Sequence, residues 1–133
     1  MEIRPGSHIL DLGCGTGRNA ELMRGYLNEK GHITGLDISE DMERQFYRKF
    51  KGDERVEFVN QRIDILFDLK KTYDKVFISF VIHGFPHKIR NNVIQNAFIH
   101  LKPGGIFDSS CQLSAFSFQQ NLINSKSKIS RDL

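Results

Sequence analysis

Apolar and polar positions along this chain change period repeatedly, from short unbroken runs to recurrences every three or four residues. His8-Ile9-Leu10-Asp11-Leu12 is an apolar run closed by glycine and reads as a buried strand. From Arg18 to about Lys30, Ala20, Met23 and Leu27 return at helical spacing, with Gly31 placed to end the helix. Ile33-Thr34-Gly35-Leu36-Asp37 predicts a second strand. Ser39 then caps a helix with Glu40 and Asp41 in its first turn and Met42, Phe46 and Phe50 as its apolar stripe. Val56-Glu57-Phe58-Val59 is a short third strand. Tyr73 to Ile82 holds the longest apolar run, as expected of a central strand covered on both faces. Pro86 opens a helix carrying Ile89, Val93, Ala97 and Leu101 on one side; Lys102-Pro103-Gly104-Gly105 stops it, and Ile106-Phe107 begins a fifth strand.

Strands alternating with helices predict an α/β fold, a doubly wound, Rossmann-like and mostly parallel sheet of about five strands with helices on both faces. The composition shifts after Asp108. Seven of the ten serines fall between residues 109 and 133. Phe116 and Phe118 alternate like an edge strand, and from Asn121 onward the chain is polar with weak periodicity. The division is therefore a domain over 1–118 and a polar tail over 119–133.

At 133 residues the chain is one domain's length. Its 39% hydrophobic content and 11 glycines exclude disordered, collagen-like and coiled-coil classes. No apolar run reaches the roughly 18 residues that a membrane span needs. The first eight residues have no apolar stretch of the kind a signal peptide carries. Cys14 and Cys111 are too few for a disulfide framework or a four-cysteine zinc site, so no metal is expected, and a reduced, cytoplasmic setting follows. Nineteen basic against sixteen acidic residues give a net charge of +3. The basic residues are scattered, which reads as a solvated surface ahead of a nucleic-acid-binding face.

The chemistry concentrates at Asp11-Leu12-Gly13-Cys14-Gly15-Thr16-Gly17-Arg18. A strand runs into three glycines at alternate positions and a helix starts at once. Such a turn brings bare backbone within contact of a ligand. The dinucleotide fingerprint would need a glycine at 18, where this chain has Arg18. Asp11 stands two residues before the first glycine, where a carboxylate repels a pyrophosphate and attracts an amine or sulfonium. The second strand ends in Asp37, placed to accept both hydroxyls of a ribose. These features ask for a nucleoside with a positively charged tail, rather than the diphosphate of a nicotinamide-dependent oxidoreductase.

Asp11-Leu12-Gly13-Cys14-Gly15-Thr16-Gly17, Asp37 and Leu101-Lys102-Pro103-Gly104-Gly105 resemble the motifs of class I S-adenosylmethionine-dependent methyltransferases, the small-molecule and quinone type in particular. The resemblance covers about residues 3–110. It implies S-adenosylmethionine as cofactor and S-adenosylhomocysteine as product. By it, backbone at Gly13, Cys14 and Gly15 lines the methionine moiety, and Asp11 lies near its amino group, directly or through water. Asp37 holds the ribose, Ile38 packs on adenine, backbone at Ile63 meets the adenine edge, and Ser79 and Phe80 face the methyl end. The third motif departs from the family pattern: Arg62 stands where an acid is expected. Asp64, two residues on, is either its substitute or half of a loop salt bridge.

Methyl transfer is an in-line displacement in which the protein chiefly positions the nucleophile and can remove its proton. His83 is the candidate base; its alternative is a loop histidine that shapes the pocket. The turns and nucleophiles typical of adenine, cytosine and protein-arginine methylases do not occur, which leaves a small-molecule acceptor. Members of the family usually have seven strands and N-terminal helices over the substrate. This chain looks truncated against that pattern, so a cofactor-binding module with little turnover, completed by another chain, is the competing reading. An open edge at the fifth strand invites pairing, and the expectation is a homodimer or tail exchange through residues 106–118.

Overall fold

The computed structural model describes residues 3–78 and 85–108. In chain order the elements are β1 (His8–Leu12), α1 (Arg18–Arg24), β2 (His32–Asp37), α2 (Glu40–Lys49), β3 (Val56–Asn60), β4 (Tyr73–Ile78), α3 (His87–Ile99) and β5 (Leu101–Asp108). All five strands run parallel in the order β3-β2-β1-β4-β5. The direction of winding reverses between β2 and β4, on either side of β1, and in open α/β sheets such a reversal opens a crevice at the carboxyl ends of the strands.

The period of each segment explains its place. Ile9, Leu10 and Leu12 of β1 are fully buried because apolar cover lies on both faces. On one face Ala20 and Met23 of α1 and Phe46 of α2 pack with Ile9, Ile33, Phe58 and Phe77. On the other, Val93 and Ala97 of α3 pack with Leu10, Leu12, Val76 and Ile78. Ser39 caps α2 as expected, its hydroxyl accepting from Met42 N–H at 3.3 Å.

Three details differ from the sequence reading. The first helix ends at Arg24 with Gly25 as its cap, not at Gly31. Gly31 serves close packing instead, since a Cβ there would lie 2.7 Å from the Pro5 carbonyl oxygen and 2.8 Å from the Leu27 side chain. Met42 is 38% exposed, so the buried stripe of α2 rests on Phe46 and Phe50. Leu101 belongs to β5 rather than to the preceding helix: it pairs with Tyr73, the ladder breaks, and pairing resumes at Ile106↔Lys75. Lys102-Pro103-Gly104-Gly105 is thus a bulge inside a strand, with Pro103 exposed and Gly104 at φ 78°. The predicted continuation of β4 to Ile82 and the 119–133 tail lie outside the described residues, as does the 106–118 edge beyond Asp108.

Candidate functional site

The β1–α1 turn is held from below by β2. The N–H groups of Gly13 and Cys14 both donate to the Leu36 carbonyl, at 2.8 and 3.0 Å. The three glycines all have positive φ, 77° at Gly13, 56° at Gly15 and 90° at Gly17, but they do different work. A Cβ on Gly17 would sit 2.5 Å from the Phe50 ring and 2.8 Å from Phe46, so this glycine lets α2 close on the turn. A Cβ on Gly15 would meet nothing within 4 Å. Its backbone faces open space, and its N–H donates to Asp37 Oδ2 at 2.9 Å.

Asp37 therefore locks the turn to the end of β2. Its other oxygen, Oδ1, accepts from Ile38 N–H at 2.8 Å, and the Asp37 carbonyl takes Gln61 N–H at 3.1 Å from the end of β3. Beside it opens a cleft of about 270 Å³ lined by Gly13, Leu36, Asp37, Ile38, Gln61, Arg62, Ile63, Asp64 and Phe85. Ile38 is 57% exposed on this wall, an apolar side chain left in solvent beside polar neighbours. Ile63 is buried. Arg62 and Asp64 form a two-pronged ion pair, Nε to Oδ1 at 2.9 Å and Nη2 to Oδ2 at 2.7 Å. The Arg62 guanidinium holds the Asp64 carboxyl below its usual range. Of the two readings of Asp64, the loop salt bridge is formed, and it is formed in the cleft wall.

Asp11 is placed differently from the other carboxylates. It is fully buried under the turn, outside the cleft lining, and neither carboxylate oxygen has a hydrogen-bond partner among the described residues. Burial, and next the nearby Asp37 charge, push its pKa up to about 7. Burial and the same two carboxyls push the Cys14 thiol far above its ordinary value, so Cys14 is a small apolar packing group against Gly35 rather than a nucleophile. An unpartnered buried carboxylate is costly unless it is protonated or met by a cation.

The wall opposite β2 hangs on a residue that the sequence did not single out. Asn96 of α3 is fully buried. Its Nδ2 donates to the carbonyls of Ile63 and Ile65, at 3.1 and 2.7 Å, and its Oδ1 accepts from Phe67 N–H at 3.1 Å. His100 continues the strap: Nδ1–H donates to the Asn96 carbonyl at 2.7 Å and Nε2 accepts from Leu69 N–H at 2.9 Å. These two side chains satisfy the backbone of the irregular stretch between β3 and β4. A signal existed in the sequence, an asparagine on the apolar face of α3 one residue before Ala97. Of the residues singled out from sequence, the fold brings Gly13, Asp37, Ile38, Ile63 and Asp64 to one cleft, with Gly15 adjoining through Asp37 and Asp11 and Cys14 beneath. Ser79, Phe80 and the candidate base His83 lie outside the described residues.

A parallel sheet that reverses at β1, with a glycine turn there and an acid closing the next strand, defines a Rossmann-like α/β domain. The chain belongs to the family described as the methyltransferase domain, which matches residues 9–105. It is 31% identical over 107 residues to a demethylmenaquinone methyltransferase from Listeria welshimeri, covering 79% of this chain and 44% of that protein. With the demethylmenaquinone methyltransferase of Bacillus cereus it shares 30% over 128 residues, 92% of this chain and 53% of the other. The chain thus spans about half the length of the curated relatives it matches. Among solved structures, that of PKMT2 from Rickettsia typhi in complex with AdoHcy matches with a TM-score of 0.72 at 20% identity, covering 81% of this chain and 21% of that one. That likeness is one of fold.

Proposed function

We propose that the chain binds S-adenosylmethionine at the β1–β2 crevice and serves methyl transfer to a small organic acceptor. The observation that carries the reading is the pairing of a buried, unpartnered carboxyl at Asp11 with the Asp37-closed cleft beside it. Asp37 has used one lone pair on each oxygen, on Gly15 and Ile38. A carboxylate has about four acceptor sites, so two remain for the hydroxyls of a ribose. Ile38 offers an apolar face for adenine, with Ile63 and Phe85 behind it. Among the described residues, Asp11, Asp37 and no cation other than the Asp64-bound Arg62 line or underlie this cleft, which favours a ligand with a positively charged amine and sulfonium over a diphosphate. When bound, the cofactor supplies a methyl group already activated by the sulfonium. The chain's own part is to hold the ribose through Asp37, flank the adenine and exclude water from it, and answer the amino group through Asp11, directly or through one water. Ser79, Phe80 and His83 belong to this proposal as the residues next to the methyl group, with His83 as base.

The demethylmenaquinone relatives make a quinol ring the first acceptor to try. The test is calorimetric titration of the full chain with S-adenosylhomocysteine and with NAD, followed by a radiolabelled methyl-transfer assay on a panel of small hydroxylated acceptors. Binding of the first and none of the second is expected; NAD binding in its place would reverse the assignment. A second reading, binding without turnover, draws on the chain's spanning about half of its relatives, and binding with no transfer to any acceptor would select it. The cytoplasm as its site of action, and a homodimer through β5 and the residues after it, complete the proposal. A light-scattering mass of one chain at high concentration argues against the dimer.

A further inference from the structure

The amino ends of the strands hold a second polar cavity that the cofactor reading does not use. Lys75, on β4, lines it and is paired with Ile9 and Ile106 in the neighbouring strands. Lys75 is only 6% exposed, and its ammonium has no hydrogen-bond acceptor or ion-pair partner among the described residues. The stem is buried in the sheet while the ammonium reaches the cavity, so the charge is free to meet a ligand there. The adjoining carboxylate does not supply the missing charge, because Asp74 is already engaged. Its Oδ2 accepts from His8 N–H at 2.8 Å, and its Oδ1 faces Lys102 Nζ at 3.4 Å. Burial accordingly lowers the lysine's pKa, with the Asp74 charge opposing and the Arg4 charge adding to the shift.

Around Lys75 lies a cavity of about 400 Å³ whose lining includes Arg4, Ser7, Asp74, Lys102 and the Gly104–Gly105 bulge. Three cationic side chains thus face one carboxylate. Ser7 is itself buried, and its oxygen accepts the Arg4 N–H at 3.0 Å, which leaves its hydroxyl hydrogen free to donate. The exposed Arg4 guanidinium has no ion-pair partner among the described residues. An ammonium on a mostly buried stem, a hydroxyl donor and two rim cations lining one cavity are the complement of a small oxyanion.

We propose that this cavity is a binding site for an oxyanion, the phosphate or carboxylate group of a small molecule, held by Lys75 and Ser7 with Arg4 and Lys102 at the mouth. It lies at the amino ends of the strands, and the Asp37 cleft lies at their carboxyl ends. The five residues of β1 separate the two ends by about 13 Å at 3.3 Å per residue, so the site can fill whether or not the cofactor is present, and it does not depend on the assignment of the cleft.

The experiment is thermal unfolding and calorimetry of the full chain in sodium phosphate, sodium acetate and sodium chloride at matched ionic strength and pH 7. Phosphate or acetate is expected to raise Tm by several degrees over chloride, and the more effective of the two identifies the phosphate or carboxylate class. Lys75→Met keeps the apolar stem and should remove that increment while leaving S-adenosylhomocysteine affinity unchanged. Arg4→Gln and Lys102→Gln, both at the rim, should each weaken the effective anion several-fold, which tests the site even if the Lys75 variant unfolds. Equal Tm in all three salts, an increment that survives Lys75→Met, or rim variants that bind like wild type would each overturn the proposal.

Discussion

Replacing Asp11 by asparagine removes a carboxyl that is fully buried and has neither oxygen partnered among the described residues. Desolvation, followed by the Asp37 charge, raises its pKa from 3.8 to about 7. The native state therefore keeps this proton after the unfolded chain has released it. The stabilisation is complete below pH 4, is lost as the pH rises towards 7, and is gone above that. At 1.36 kcal/mol per unit the full effect is about 4 kcal/mol, a large part of the 5–15 kcal/mol typical of a domain. Scanning calorimetry from pH 4.5 to 8.5 should show the wild-type Tm falling by about 10 °C from this group, at roughly 3–5 °C per kcal/mol for a chain of this size. Asp11→Asn should lack this fall, keeping only the opposite, smaller rise that the burial-lowered pKa of His32 gives, and should be more stable than wild type at pH 8, where position 11 then carries no buried charge. The ligand dependence runs the other way. Above pH 7 the ionised Asp11 favours a cationic ligand group, so wild-type affinity for S-adenosylhomocysteine should rise from pH 6 to 8 while that of Asp11→Asn stays level. Identical Tm slopes in the two proteins would refute the buried-carboxyl argument. A flat binding profile in both, with the Tm slopes differing, would refute its link to the ligand.

Three further outcomes rest on particular contacts. Asn96→Leu keeps the branched heavy-atom shape but strips partners from the Ile63 and Ile65 carbonyls and the Phe67 N–H; at about 1 kcal/mol for each lost partner, a loss of at least about 3 kcal/mol in urea unfolding is expected, with weakened nucleoside binding. Gly17→Ala should cost about 2–4 kcal/mol, because its Cβ would strike Phe50 and Phe46 at a φ of 90°. Gly15→Ala, with open space and only the positive φ against it, should cost about 1–2 kcal/mol, and equal losses at the two positions would contradict the packing argument. Asp37→Ala releases the Gly15 and Ile38 N–H groups, and should reduce S-adenosylhomocysteine affinity at least about tenfold by calorimetry.

Legibility tracked the range of the interactions involved. The strands were readable because continuous runs such as Ile9-Leu10 and Val76-Phe77-Ile78 are what a sheet covered on both sides requires. The cleft was half readable. Gly13, Asp37 and Ile38 sit at strand ends that the sequence marks, whereas Asn96 supports the cleft wall from α3, more than thirty residues away. The end of α1 was misplaced because Leu27 continues the apolar period after the helix has stopped. That residue is buried by tertiary packing rather than by helical position, with its carbonyl held by Arg55 at 2.8 Å.

By itself the amino-acid order determined the alternation of elements, the glycine turn and the acids flanking it, since these depend on side-chain period and on local backbone freedom within a few residues. The tertiary structure decided which charges go unanswered. The sequence marks Asp11 as an acid beside the turn and leaves Lys75 unremarked in an apolar run; only the sheet buries the first fully near the carboxyl ends of the strands and the stem of the second near their amino ends. Desolvation is a property of everything packed around a group, and a linear sequence does not display it.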